Sequence, residues 1–322
     1  MTQSERIQLF TTGIWDWFER NKRTLPWRDL RVKDADHRAY LVLVSEIMLQ
    51  QTQVPRVQIL YKEFIQKFPR MEDLAKASNA EILIAWRGLG YNNRALRLRD
   101  AARIITGEHR GIFPRTTEEL QEIPGIGHYT ASAVLNFAFG IPAACIDTNI
   151  RRILHRFFVG SENADGTWKK SDVFLQKLSE KTMLAALEHG RGSCGDWFAA
   201  LMDFGSLVCT KNRPKWELFS RDLRSACIAY GRDIVRTKKL IKKEPGREVS
   251  GRHIPDRIFR GRIVEALRDA PRGLPLAEIG ARVAVDWTMG DHRKWLAGLI
   301  AKLERERLVE RHGGRFSLAH SR

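Results

Sequence analysis

The chain has 322 residues, with 55 Lys and Arg against 38 Asp and Glu, for a net charge of +17. That length allows two domains, or a large and a small one, and the charge favours a polyanionic partner while leaving a generic basic surface open. No apolar run approaches the roughly 20 residues that would span a bilayer, the acids in the N-terminal segment do not fit the charged-then-apolar layout of a secretion signal, and four cysteines in so long a chain do not make a disulfide scaffold. A reduced, cytoplasmic protein without a membrane partner is expected.

In chain order, a 3.6-residue apolar period runs from the start to about residue 235. It predicts helices over 4–20, 38–50, 53–66, 94–107, 117–121, 128–138, 148–158, 169–181 and 195–208, with Leu25-Pro26, Gly88-Leu89-Gly90, Phe113-Pro114 and Pro124-Gly125 as punctuation. Period-two runs are scarce here, so this part is all-α. From residue 236 the composition turns basic and gains Pro and Gly, which predicts a linker or an exposed arm over 236–254. From about Pro255 three helical segments follow, then two short strands around Gly313-Gly314. That is a winged-helix-like α+β pattern. Its third helix would enter a groove with His292, Arg293 and Lys294, and its hairpin would touch backbone through Arg311, His312 and Arg315; a protein-docking role is left open. The domains expected are therefore 1–235, a basic linker 236–254, and 255–322.

Three features carry chemistry. The segment EIPGIGHYTASAVLNFA, residues 122–138, reads as a helix end, a Pro-Gly-Ile-Gly hairpin and a second helix. Gly125 and Gly127 lack Cβ, so the turn can be tight and a phosphate can come close to the backbone. The second helix then points its free N–H groups and the positive end of its dipole at that phosphate. Next, Glu46 lies in a helix whose packed face is marked by Leu41, Val44, Ile47 and Met48. A carboxyl half-buried beside apolar groups holds its proton at higher pH and can act as a general acid, although an exposed helix Glu is the common alternative. Finally, Asp147 stands where a helix N-cap belongs. Capping alone would explain it, yet a fixed, ionised carboxylate also stabilises positive charge on a sugar, and two carboxyls in unlike environments suit glycosidic cleavage.

These residues resemble those of the helix-hairpin-helix DNA glycosylases, and most closely the MutY-type adenine glycosylases, over residues 5 to 230. The anchors are LPWR at 25–28, SEIMLQQTQV at 45–54, GLGY at 88–91, PGIGHYTA at 124–131 and IDTNIRRIL at 146–154. The resemblance implies a two-subdomain helical core of the HhH-GPD type with a cleft, and base flipping to reach a bond inside the stack. By position it implies Glu46 as the acid that protonates the base and Asp147 as the carboxylate that stabilises the oxocarbenium-like sugar. Trp27, Arg28 and Leu49 would line the base pocket. Gln51 and Tyr91 would fill the duplex and hold the opposite base. Thr52, Gly125, Gly127, His128 and Thr130 would contact DNA. Tyr129 matches the position at which bifunctional relatives carry a lysine nucleophile; tyrosine forms no Schiff base, so a monofunctional enzyme without lyase activity is implied.

Two departures qualify the resemblance. Relatives hold a [4Fe–4S] cluster on four cysteines, but here only Cys209 occupies a ligand position. Trp216, Phe219 and Ser225 take the other three, and Cys227 lies two residues beyond the last. Two thiolates cannot supply four ligands, so no cluster, metal or other cofactor is expected, with Trp216 and Phe219 packing in its place. Ten residues before Cys209, where relatives place Gln or Glu against the purine edge, this chain has Ala199. Thymine glycosylases acting on G·T mismatches resemble it there and at Tyr129. The expectation is a monofunctional glycosylase that excises adenine opposite 8-oxoguanine or guanine, working as a monomer on mismatched or damaged double-stranded DNA at the nucleoid. Excision of thymine or another damaged base from a G pair, and a non-catalytic winged-helix DNA-binding protein, remain the alternatives.

Overall fold

A computed structural model describes residues 1–232 and 244–320. Within it the chain forms two compact units, residues 1–43 with 113–232, and residues 44–112 with 244–320. This is not the linear division at residue 235 that composition suggests.

The first unit opens with α1 (Gln3–Asn21), set by a Thr2–Glu5 capping box. It passes through the beginning of α2 (Ala35–Leu49), which runs on into the second unit. The first unit then continues with α7 (Thr117–Glu122), α8 (His128–Val134), α9 (Thr148–Phe158), α10 (Asp172–Glu188), α11 (Cys194–Leu207) and α12 (Arg221–Ala226). Ser171, Ser193 and Ser220 cap the last three by accepting backbone N–H bonds at their N-termini. α1 packs on α10, α11 and α12, and α9 on α10 and α11. The core between them is aromatic. Phe10 meets Phe157 at 4.7 Å and Trp197 at 5.9 Å between centroids, in tilted and edge-on geometries that favour the ring quadrupoles. α8 widens into a π-helical turn at Leu135–Phe139 and stops at Gly140, in left-handed conformation. Asn136 in that turn donates to Ala143 O (2.7 Å) and accepts from Ala143 N (3.2 Å), which fixes the extended stretch leading to α9.

The second unit contains the end of α2, α3 (Val54–Lys67), α4 (Met71–Lys76), α5 (Asn79–Ala85) and α6 (Asn93–Gly107). α4 packs on α6, and α5 on both α3 and α6. α4 and α5 were not expected from periodicity, because two turns present too few positions to show a 3.6 period. The C-terminal part has β1 (Gly246–Val249), β2 (Arg252–Pro255), α13 (Asp256–Arg268), β3 (Leu274–Pro275), α14 (Leu276–Val283), α15 (Met289–Arg305), β4 (Val309–His312) and β5 (Arg315–Leu318). Three helices with an antiparallel sheet in the order β3-β5-β4 agree with the winged-helix pattern. The segment 236–254 needs correction as a linker. Its residues 236–243 lie outside the described residues, but β1 and β2 form an antiparallel hairpin that packs on α13. The alternation of Arg247, Glu248 and Val249 was masked by surrounding charge.

α13 joins the C-terminal part to the helices before it. Arg268 donates to Leu83 O and Asn92 Oδ1, both at 2.9 Å, and Arg87 pairs with Glu265 and Asp269. Among the described residues no helix is long and apolar enough to cross a membrane, and all four cysteines are buried and outside any disulfide.

Candidate nucleic-acid interface and catalytic residues

In the first unit the hairpin forms as the spacing requires. α7 ends at Glu122, Gly125 takes a φ of +94° that side chains disfavour, and Gly127 is the N-cap of α8 without a side-chain cap bond. The first N–H groups of α8 therefore have no partner inside the helix. A Cβ at Gly127 would meet no atom within 4 Å, so the approach to them is open. His128 is exposed and Tyr129 half-buried, its ring 5.7 Å from that of Phe198. Thr130 is 3% exposed, because α8 turns its side chain toward the core.

Asp147 caps α9. Its Oδ1 accepts from the N–H groups of Asn149 (2.9 Å) and Ile150 (2.7 Å), and its Oδ2 accepts from Asn149 Nδ2 (3.2 Å). Burial pushes this carboxyl above the usual aspartate range; the Ile150 and Asn149 N–H groups and Arg152 pull against it without prevailing. Arg152 supports the same helix end. It donates to Asn149 Oδ1 and Gly205 O, both at 2.7 Å, and to Cys209 O. Gly205 permits the approach: a Cβ there would lie 2.7 Å from Asn149 Cβ.

Trp27 is buried, and Arg28 is fixed by a partner the sequence reading missed. Asp203, at 0% exposure, accepts two bonds from Arg28 (2.7 and 2.8 Å) and two from Arg23 (3.1 Å from N, 2.7 Å from Nε). Burial alone would raise the Asp203 carboxyl; Arg28 and Arg23 outweigh it and hold the group below its usual range. Arg28 and Ala199 line one cavity of about 140 Å³ together with Asn136 and Phe137. The only local hint of Asp203 is a charge inside the apolar run ALMDFGSLV.

In the second unit α2 is buried on all sides from Tyr40 to Met48, not on one face only, and Glu46 is 6% exposed. Leu49 and Thr52 are half-buried. Gln51 and Tyr91 are exposed, and both hold left-handed backbone at φ +55° and +44°. For side-chain-bearing residues that conformation costs about 1 kcal/mol each, and such strain gathers at functional sites. Arg94 explains how it is maintained. Its buried guanidinium donates to Ile47 O (2.9 Å), Met48 O (3.0 Å), Gln50 O, Leu89 O (2.9 Å), Gly90 O (3.2 Å) and Thr52 Oγ1 (3.1 Å). One side chain thereby ties the end of the Glu46 helix to the Gly88–Tyr91 turn, and its burial pulls its pKa down to about 10. A cavity of about 600 Å³ opens beside it, lined by Gln51, Tyr91, Arg97 and, from α13, Arg257 and Ile258. From the C-terminal part, α13, Leu303 of α15 and Leu308 thus line the cavity of the two strained residues. Arg293 and Lys294 on α15 are exposed, and Arg315 is occupied with Gly273 O.

The cluster positions do not fit a cluster. Cys209 is fully buried with Arg156 Nη1 3.6 Å from its Sγ, and Cys227 is buried with its Sγ 3.6 Å from Arg156 O. Phe219 stacks on Phe157 at 5.8 Å and 9°, with Trp216 packed edge-on at 5.0 Å, and Ser225 is exposed. Burial pushes both thiols up, Cys227 to about 12. Among the described residues no group of three or more His, Cys, Asp or Glu could hold a metal.

A helical hairpin followed at short range by a capped aspartate defines a class, and the comparisons agree with it. Residues 44–180 match the family model described as HhH-GPD superfamily base excision DNA repair protein. The chain is 32% identical over 307 residues to the adenine DNA glycosylase of Mycobacterium tuberculosis, covering 95% of this chain and 92% of that protein. It is 40% identical over 230 residues to the adenine DNA glycosylase of Mus musculus, covering 70% of this chain but 42% of that protein, so it spans about two fifths of the length of that mammalian relative. Among solved structures, a thermostable thymine-DNA glycosylase superposes at a TM-score of 0.61 with 28% identity, over 71% of this chain and 99% of that one. An endonuclease III in a non-covalent DNA complex shares the fold at a TM-score of 0.53 and 20% identity, over 70% of this chain and 96% of that one. The chain belongs to the adenine DNA glycosylase family of the helix-hairpin-helix superfamily.

Proposed function

We propose that the protein is a monofunctional DNA glycosylase of base excision repair that hydrolyses the N-glycosidic bond of adenine mispaired with 8-oxoguanine or guanine. The observation that carries this reading is the pair of acids in unlike environments. Glu46 is enclosed in an apolar helix, and Asp147 is pinned by two backbone N–H groups in a family of adenine glycosylases. A protein that only binds DNA needs neither. In this mechanism the α8 hairpin grips a backbone phosphate, Gln51 and Tyr91 enter the stack, and the extruded adenine is received at Trp27, Arg28 and Leu49. Glu46 donates a proton to the base, the bond from base to C1′ breaks, and Asp147 stabilises the sugar cation until water adds to C1′ and loses a proton. Tyr129 has no amine, so no Schiff base forms and the abasic strand is left intact. The protein acts as a monomer on duplex DNA in the cytoplasm, at the nucleoid.

Single-turnover assays on duplexes with A·8-oxoG, A·G and T·G pairs test the reading. Release of adenine is expected, without strand cleavage and without borohydride-trapped adduct. Glu46→Gln abolishes release and leaves duplex binding unchanged; full activity in that variant removes Glu46 from the mechanism. The second reading, a thymine glycosylase, is favoured by Ala199 beside Arg28 and by the solved thymine-DNA glycosylase; release of thymine from T·G and none from A·8-oxoG would establish it.

A further inference from the structure

The cavity of about 600 Å³ beside Gln51 and Tyr91 has walls that the proposed mechanism does not use. Its volume suits one small organic ligand, for which about 300–1,000 Å³ is usual. The apolar part of its lining comes from the C-terminal elements: Ile258 and Gly261 of α13, Leu303 of α15, and Leu308. Trp27, Arg28 and Leu49, which would receive the excised base, do not line it.

The floor is kept open. Gly261 stands in the middle of α13, where glycine lowers helix stability relative to alanine. Packing does not require it, since an added Cβ would meet no atom within 4 Å. What the missing side chain provides is room. Three polar atoms of the lining residues are also buried without a hydrogen-bond partner: Asn93 Oδ1, Arg94 Nε and Arg260 Nε. Unmet buried polar atoms are costly, and in native proteins they point to a water, an ion or a ligand. Glu306, at the end of α15, fixes two of these side chains, accepting from Asn93 Nδ2 at 2.8 Å and from Arg260 Nη2. One acceptor and two donors complement in kind the edge of guanine, which offers N7 and O6 as acceptors and its amino group as a donor. Arg97 lines the same cavity, is exposed, and among the described residues takes part in no ion pair. It is available to a phosphate.

We propose that this cavity is a second nucleotide pocket, which takes a guanine-type nucleotide everted from the strand opposite the excised base, with the ring on Ile258, Leu303 and Leu308 and the phosphate on Arg97. An apolar floor gains from an aromatic ring and not from a phosphate, and a base shows its ring face only when it leaves the stack. Gln51 and Tyr91, at the exposed edge of the cavity, stand where a displaced base would be delivered. The inference rests on the reading that these two residues enter the stack, and it uses neither Glu46 nor Asp147.

The test places 6-methylisoxanthopterin, a guanine analogue whose fluorescence is quenched by stacking, opposite adenine in a duplex, and mixes it in stopped flow with excess full-length protein. Wild-type protein should raise the emission to the level of the free nucleoside. Gly261→Leu fills the floor with a good helix former, so it should melt no lower than wild type while losing the rise. Gly261→Ala leaves most of the space and should keep it. Arg97→Ala should flatten the log–log salt dependence of binding by about 0.9, the share of one phosphate. No rise with wild-type protein, a rise in Gly261→Leu equal to wild type, a loss in Gly261→Ala as complete as in Gly261→Leu, or a wild-type salt slope in Arg97→Ala overturns the proposal. Free dGMP is titrated by calorimetry as a separate arm; its binding to wild-type protein without any rise on the duplex overturns eversion and assigns the pocket to a free nucleotide. Release of adenine by wild-type protein is scored on an A·8-oxoG duplex without the probe, so failure here leaves the glycosylase reading standing.

Discussion

At the scale of single residues, the two aspartates lie in opposite electrostatic settings. The Asp147 carboxyl is raised by burial, so its charged form is disfavoured in the folded protein. Its contribution to stability is whole below the ordinary aspartate value and declines as pH rises through the raised one. Catalysis needs the charged form, so excision should fall on acidification with an apparent pKa above the ordinary value of about 3.9. A single-turnover pH profile checks this; a limb at or below that value would contradict it. Asp147→Asn keeps a good cap and should fold normally while losing excision. Asp203 behaves in the reverse sense. Arg28 and Arg23 hold it below its usual range, so its stabilisation is present above the ordinary value and is lost as pH falls through the lower one. Asp203→Asn leaves two arginines without a counter-charge and should cost about 3–5 kcal/mol by denaturant unfolding. With Arg28 loosened, excision should fall more than affinity for undamaged DNA.

At the scale of elements, the site depends on close contacts between helices more than on their individual propensities. Gly205 of α11 lets the capped end of α9 sit against it, and Arg152 bonds to its carbonyl. Gly205→Ala puts a methyl within 2.7 Å of Asn149 Cβ. The helical gain of alanine, about 1 kcal/mol, should be outweighed by overpacking of about 1–3 kcal/mol. Displacing Asp147 should lower the single-turnover rate more than it weakens binding, and a variant with wild-type stability and rate would refute the close-contact argument. Arg94 acts likewise from α6, holding Gln51 and Tyr91 in backbone conformations they would not choose alone.

At the scale of the whole molecule, α13 links the C-terminal helices to α5 and α6 of the same unit. Arg268→Ala leaves Leu83 O and Asn92 Oδ1 without their donor, which should cost about 1–3 kcal/mol. If that joint couples the two parts, urea unfolding of the variant should broaden or split; a single transition at the wild-type midpoint would count against it. The winged pattern was legible because its hairpin and third helix are local, whereas the face it turns to the rest of the unit was not. Likewise the α7–α8 hairpin, the α9 cap and the long helices were readable from Gly, Asp and apolar period. α4, α5 and the β1–β2 hairpin escaped because each is too short, or too charged, to show its period.

The sequence by itself determined the elements whose causes lie within a few residues: the glycine turn at 124–127 and the Asp147 cap, whereas the burial of the Glu46 helix on all sides came from packing. The tertiary structure alone decided which charges meet. Arg28 and Asp203 lie 175 residues apart, Arg94 gathers carbonyls from the end of α2 and from the Gly88–Tyr91 turn, and Arg156 closes on a loop more than 50 residues away. Such pairings leave no periodic trace, because a buried ion takes its partner from whichever segment the packed core brings within reach.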